Sequence, residues 1–420
     1  MTRRLPSLFA VTAALAAAGA PAAHAATPVY SQRLVVGYAP GVSDDRGRQA
    51  VERHGGEVLR RLGALRSAIV RPRGRLAAEA LARRLRADGR VRFAERDFLV
   101  SGSEQPNDPL YASQYALDQP NTPVGDVAAP LAWDRQTQCS KVAVLDSGVD
   151  KDHPDLRPNL WKNSGETSGN GKDDDHNGFI DDVYGADMLD GKGSGLDENG
   201  HGTHVAGIIA AAGNNSAGVS GICWKASVMS VKFLDEHGRG GTADAIDAFE
   251  YAIHEGAKIL NCSFGTSSKS SALQDAVEHA KKAGALLIVA AGNDGDNIES
   301  KPAYPAAFTD GNILTVAAST KSDTLASFSN YGSKSVDVAA PGDHILSTLP
   351  DGKYGDKSGT SMAAPLVAGA AAMLRQSDSK ATYSQLRTAL REHADKPPAL
   401  KGKVLYGGRL NVRLALDALG

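Results

Sequence analysis

Val142-Ala143-Val144-Leu145-Asp146-Ser147-Gly148 is a short apolar, β-branched run that ends on a carboxylate and a glycine. Runs of about four to eight residues that are apolar throughout, rather than alternating, read as strands buried on both faces. Five more runs, largely apolar and of strand length, follow it: Val228–Phe233, Ile259–Cys262, Leu286–Ala290, Ile313–Val316 and Val336–Ala339. Between and after them lie helical stretches, His201–Ala212, Ala243–His254, Ser271–Ala283 and Ser361–Gln376. This alternation predicts an α/β fold in three layers, a mainly parallel central sheet with helices on both faces. Functional groups in such sheets gather at the carboxyl ends of strands, and Asp146 stands at one. Residues 383–420 add two helical segments and no further domain, and there are no internal repeats.

Upstream, residues 32–100 read as a separate small α+β unit. Leu34–Tyr38 and Ser67–Val70 are strand-like; a helix is expected over Asp45–Arg61, interrupted at Gly55-Gly56, and another over Leu76–Asp88. Arg92–Glu95 and Phe98–Val100 close the unit, and the polar stretch Ser101–Asn107 reads as an exposed linker. The chain's net charge of −2 hides an asymmetry. Residues 26–105 hold 16 arginines, no lysine and 9 acidic residues, a net +7, whereas residues 106–420 hold 28 basic and 39 acidic residues, a net −11. The two segments are therefore expected to attract each other. Because the arginines lie on patterned, foldable sequence rather than in a tail, nucleic-acid binding is not the expected use of this charge. At the start, Arg3-Arg4, the apolar run Leu8–Ala20 and Ala23-His24-Ala25 have the form of a secretory signal cleaved before Ala26. The apolar run is too short for a good membrane span, and no other segment is longer. The mature chain is thus expected to be exported, without a membrane span.

Two further strings join the one that holds Asp146: Asn199-Gly200-His201-Gly202-Thr203-His204 and Gly359-Thr360-Ser361-Met362-Ala363-Ala364-Pro365. They supply an Asp, a His and a Ser, in that order, each beside glycine. A serine hydroxyl is a weak nucleophile until a base takes its proton, and the base needs a carboxylate to fix its tautomer. Asp…His…Ser is one of the chain orders in which this triad geometry occurs. The α/β-hydrolase order and its Gly-x-Ser-x-Gly elbow are absent, as is a His-Glu-x-x-His zinc signature. Ser361 opens a predicted helix, whose N-terminus places partial positive charge beside it.

In these three strings the chain resembles the subtilisin family of serine proteases over nearly all of residues 106–420. The resemblance implies a subtilisin-like fold and a serine endopeptidase with Asp146 as orienting acid, His201 as general base and Ser361 as nucleophile. Ala290-Ala291-Gly292-Asn293-Asp294 matches the string whose Asn donates to the oxyanion, which assigns Asn293 together with the Ser361 N–H. Ser263-Phe264-Gly265 resembles one wall of the first specificity pocket, Ala290-Ala291-Gly292 the opposite wall, and Gly238-Arg239-Gly240 the strand that clasps an extended peptide from the other side. Binding would then be by strand addition, main chain to main chain. Ala303 is expected at the pocket floor, with no buried acid there, which argues for a broad, apolar preference, while Asp294 at the rim would tolerate a basic side chain. Residues 32–100 resemble the inhibitory propeptide of the family, an intramolecular inhibitor released by self-cleavage within Ser101–Asn107. This divides the chain into a signal peptide (1–25), a propeptide (26–105) and a peptidase domain (106–420), a monomer when mature. The other readings are a narrow-specificity processing protease and a catalytically silent, peptide-binding relative.

Two calcium loops are expected. Asp173, Asp175, Asn177 and Asp182, with the Phe179 carbonyl, have the alternate oxygen spacing of a calcium loop, but Tyr184 stands where an EF-hand needs its Glu. The family resemblance implies a second, in which the Asn215 side chain and the carbonyls of Gly213, Ala217 and Val219 act with the carboxylates of Asp108 and Asp155. It also implies a Cys139–Cys223 disulfide, leaving Cys262 as a free core residue.

Overall fold

The computed structural model describes residues 29–74, 76–98, 105–119, 125–194 and 196–419. The signal segment, most of the linker and Leu99-Val100 lie outside the described residues. The N-terminal unit comprises β1 (Val29–Tyr38), α1 (Asp44–Arg53), β2 (Gly56–Leu62), β3 (Ser67–Pro72), α2 (Ala78–Arg86) and β4 (Val91–Phe98). Its strands form an antiparallel sheet in the order β2-β3-β1-β4. Leu34, Val36, Val70, Leu81 and Leu85 share its core. Where a helix was expected to continue to Arg61, the chain turns at Gly55 and then runs as β2. Pairing with β3, from Gly56 opposite Pro72 to Leu62 opposite Ser67, overrides the helix-forming composition of that stretch.

The large unit contains α3 (Ala129–Trp133), β5 (Gln138–Asp146), β6 (Gly185–Asp187), β7 (Lys192–Gly193), α4 (His201–Ala210), β8 (Lys225–Lys232), α5 (Thr242–His254), β9 (Ile259–Cys262) and α6 (Ser271–Lys282). It continues with β10 (Leu286–Ala290), β11 (Ile313–Ser319), β12 (Val338–Pro341), β13 (Ile345–Leu349), β14 (Lys353–Lys357), α7 (Thr360–Ser377), α8 (Tyr383–Glu392) and α9 (Val412–Asp417). Eight strands make one sheet in the order β12-β11-β10-β9-β5-β8-β6-β7, parallel except for the β6–β7 pair. Alternate residues of β5 feed the two faces: Val142 and Val144 pack with α4 and α7, Ala143 and Leu145 with α5 and α6. The last expected strand begins two residues later than read, at Val338. The β13–β14 hairpin was not foreseen. Cys139 and Cys223 form the expected disulfide, and Cys262 is free and buried, its thiol pushed up by burial and by the charge of Asp146.

From β5 the chain adds β8 on one side, then crosses to add β9 on the other. This reversal opens a crevice beyond the carboxyl end of β5, where ligands bind in open α/β sheets.

Candidate active site

Asp146 is the last residue of β5 and fully buried. His201 is the first residue of α4, with Nδ1 2.7 Å from Asp146 Oδ1. Gly202 makes this approach possible, since a Cβ there would lie 2.1 Å from the Gly148 carbonyl oxygen and 3.1 Å from Asp146 Cβ. Burial alone would lower the pKa of His201, but the charge and hydrogen bond of Asp146 outweigh it and raise the imidazole above its ordinary value. His204 behaves differently. Its Nε2 donates to the Gly355 carbonyl at 3.0 Å, and burial pushes its pKa down to about 4, so it stays a neutral packing residue.

Ser361 lies in the first turn of α7. Its hydroxyl donates to the Ser263 carbonyl at 3.1 Å, and among the described residues no hydrogen bond joins it to His201. Rotation about one bond redirects such a hydroxyl, and nucleophile–base contacts in serine hydrolases are often looser without substrate. His201 and Ser361 face two contiguous hollows of about 590 and 560 Å3, which share the wall Ser263–Thr266. Arg239 and Gly240 line the first; Gly292, Asn293 and Ala303 line the second. Of the three residues expected in the wall, Ala290 and Gly292 line the hollow, whereas Ala291 is fully buried in the core, where its carbonyl accepts from Asn330 Nδ2. The sequence reading also missed that Asp296 and Lys301 line this hollow, as an ion pair at 2.8 Å.

Asn293 is exposed, and Thr360 decides which way its amide faces. Asn293 Oδ1 accepts from the Thr360 N–H at 2.8 Å and from the Thr360 hydroxyl at 3.0 Å. The amide oxygen is thereby engaged and the NH2 group is left as the outward donor. The Thr360 hydroxyl itself accepts from the Gly292 N–H at 3.1 Å. Gly292 has φ +103°, and its Cβ position lies 2.3 Å from Asn330 Nδ2, so only glycine fits. Asn330 braces the rest of this loop, its Oδ1 accepting from the N–H groups of Asp294 and Asp296. Thr360 stands inside the string that identified Ser361, whereas Asn330 carries no local signal.

The two acidic regions differ. Glu166, Asp173 and Asp175 bring one oxygen each within 4.8 Å of one another. Glu166 was not foreseen; its Oε2 is buried without a partner, and burial raises its pKa. These features fit a divalent cation with oxygen ligands. Asp182 lies beside that trio rather than in it, as a structural acceptor that receives the Tyr251 hydroxyl and the amides of Asn163 and Asn177. The Asn177 side-chain oxygen accepts from the Phe179 N–H. In the second region, Asp108 accepts from the N–H groups of Asn214 and Asn215, and Asp155 accepts from the Asn215 side chain and the Val219 N–H. Burial raises the pKa of Asp108, and the nearby Asp155 charge adds to the rise, a repulsion that a cation would relieve. Among the described residues the carbonyls of Gly213, Ala217 and Val219 accept no hydrogen bond, while that of Gly218 accepts from Leu110.

An Asp–His pair and a Ser-bearing helix N-terminus at the switch point of a parallel sheet have the form of a serine hydrolase site. The chain belongs to the subtilase family, whose model matches residues 138–407. The model of the fervidolysin N-terminal prodomain matches residues 16–97. Thermitase of Thermoactinomyces vulgaris is 39% identical over 316 residues, which cover 74% of this chain and 99% of thermitase. The thermophilic serine proteinase of Bacillus sp. (strain AK1) is 35% identical over 335 residues, covering 79% of this chain and 74% of its own. Among solved structures, a protease of Pseudoalteromonas arctica PAMC 21717 superposes with a TM-score of 0.63 at 30% identity, over 76% of this chain and all of that one. The protein is a subtilisin-like serine endopeptidase with an N-terminal prodomain. No helix among the described residues is long and apolar enough to cross a membrane.

Proposed function

We propose that Ser361 is the nucleophile of this endopeptidase, His201 its general base and Asp146 the group that orients the imidazole. The observation that carries this reading is the 2.7 Å Asp146–His201 contact, with Ser361 and the freed amide of Asn293 on the adjoining hollow. The Ser361 oxygen attacks the scissile carbonyl carbon while its proton passes to His201 Nε2. The charge that develops on the carbonyl oxygen is met by Asn293 Nδ2 and the Ser361 N–H. Collapse breaks the C–N bond, with His201 returning the proton to the leaving amine. Water then repeats the sequence on the acyl-enzyme, releasing the acid and regenerating Ser361.

The substrate is an extended segment of protein, clasped between Ser263–Gly265 and Arg239-Gly240 with Ala303 in the first pocket. Preference is broad, although the charged pair Asp296–Lys301 and the nearby Asp294 give a narrower, processing-type preference some footing. Residues 1–25 act as an export signal and residues 26–105 as an inhibitor of the enzyme's own cleft, drawn to it by its net +7 charge and cut free within Ser101–Asn107. The mature product, residues 106–420, is a secreted monomer. Calcium, held by Glu166, Asp173 and Asp175 and by the loop of Asp108, Asp155 and Asn215, would cross-link loops and take no part in the chemistry.

The test is an intact-mass time course of the purified proenzyme beside its Ser361→Ala variant, refolded with calcium. Loss of an N-terminal piece of about 8.8 kDa, the mass of residues 26–105, from the parent alone supports the reading. If the parent stays intact and hydrolyses no added peptide, the protein is a silent peptide binder. If the Ser361→Ala chain cuts itself as the parent does, Ser361 is not the nucleophile.

A further inference from the structure

Helix α4 starts at His201, and its cap residue, Gly200, has no side chain to satisfy the first free N–H groups. Side chains from elsewhere do so. Ser147, the neighbour of Asp146, accepts the Gly202 N–H on its hydroxyl at 3.0 Å, and Asp197 accepts the Thr203 N–H at 2.8 Å. Asp197 also receives the Ser147 hydroxyl at 2.8 Å and the N–H groups of Gly200 at 2.8 Å and Asn199 at 3.2 Å. It is only 7% exposed. One buried carboxylate thus joins the loop that carries Asp146 to the helical turn that carries His201. The Ser147 N–H donates to Asp146 Oδ1, the same oxygen that faces His201, so any shift of Ser147 reaches the pair directly.

We infer that Asp197 is a positioning residue of this protease, setting the approach of His201 to Asp146 and adding a second negative charge to the surroundings of the imidazole. The inference rests on the reading of His201 as general base. The charged and titratable groups that act on the imidazole come from three elements and a loop: Asp146 at the end of β5, Asp197 before α4, Lys357 in β14, and His204 one turn along α4. Burial and Lys357 work against protonation of His201, and Asp146 and Asp197 work for it, with the carboxylates prevailing. A simple cap would stabilise the helix and leave the chemistry alone. A carboxylate hydrogen-bonded on both sides of the Asp–His pair does more, because small displacements of reacting groups are costly, up to about a hundredfold in rate.

The test uses the full chain as Asp197→Asn, Asp197→Glu and Ser147→Ala, with melting temperature, kcat and KM on a peptide anilide, and the pH profile of kcat/KM. Asp197→Asn is expected to lower kcat by about ten- to a hundredfold. KM should change little, and the acid limb should move to lower pH because one charge that favours imidazolium is gone. Ser147→Ala keeps the charge and breaks the bridge, so kcat should fall while the acid limb stays. Asp197→Glu should hold the acid limb and lose kcat. If Asp197→Asn melts lower but keeps the parent's kcat and acid limb, Asp197 is only a cap and the inference fails. If Asp197→Asn does not fold, an unchanged kcat in both Ser147→Ala and Asp197→Glu overturns it equally. Failure of the triad reading itself is separate, since it would appear as an active Ser361→Ala chain.

Discussion

Replacing Thr360 by Val tests how the oxyanion donor is aimed. Thr360 is fully buried, and its hydroxyl donates to Asn293 Oδ1 and accepts from the Gly292 N–H. Valine has the same shape, so packing is kept and both of these bonds are lost. The backbone bond from Thr360 N–H to Asn293 Oδ1 survives. One hydrogen bond of this kind is worth about 0.5–1.5 kcal/mol net. If all of that goes into orienting the amide for the transition state, kcat falls about two- to twelvefold, at about 1.4 kcal/mol per factor of ten. Removing the donor outright, as Asn293→Ala, is expected to cost about 10²–10³; that magnitude is taken over from subtilisin, itself a member of this family, and is not worked out from this chain. The partly buried Gly292 N–H, left without its partner, lowers stability by about 1 kcal/mol. The assay is steady-state hydrolysis of a peptide anilide by Thr360→Val, Thr360→Ser and Asn293→Ala, with burst kinetics to confirm that acylation is the step affected. Thr360→Ser should recover most of the loss with KM steady throughout. The reasoning is refuted if valine costs nothing, if it costs as much as Asn293→Ala, or if serine fails to rescue.

Three other outcomes are expected. Because Asp146 holds the His201 pKa above the ordinary imidazole value, kcat/KM should fall as pH drops through a midpoint above about 6.5. Asp146→Asn should move that midpoint down and cost on the order of 10⁴ in kcat, measured on the same peptide. Lys301→Met removes the partner of Asp296 in the hollow that holds Ser361, so the ratio of kcat/KM for Lys over Leu substrates should rise several-fold at low salt and shrink toward the parent's value at high salt. Chelation should lower the calorimetric melting temperature, calcium at about a hundred times its dissociation constant should restore about 2.7 kcal/mol, and Glu166→Gln should recover less of it; identical melting with and without chelator would remove calcium from the account.

What could be read in advance depended on whether a residue's task is enforced locally. The triad strings were legible because each reactive group sits where another backbone must pass close, and glycine records that, as Gly202 does against Gly148. The sheet was legible because β5, β9, β10 and β11 each carry a short apolar stretch, such as Val142–Leu145 and Leu286–Ala290, that is buried on both faces. Lys353-Tyr354-Gly355-Asp356-Lys357 gave no such sign, since it is half-exposed and polar and is a strand only through pairing with Ile345–Leu349. Glu57–Arg61 read as helix by composition and became a strand by the same kind of pairing. The supporting acids were hidden for a related reason. Glu166 and Asp197 lie in loops where an acid ordinarily caps a turn or faces water. Asp173 and Asp175 are brought to Glu166, and Ser147 to Asp197, by folding across 7 to 50 residues. The reactive atoms of this enzyme are therefore marked by short-range backbone demands, and the groups that set their geometry and charge by long-range contacts. Asp197 has no role that its own neighbours in the chain announce, yet it lies one hydrogen bond from the residue beside Asp146 and one from the turn that carries His201. Groups that tune such a site should be sought among buried polar atoms shared by two of its loops, before any are sought among its motifs.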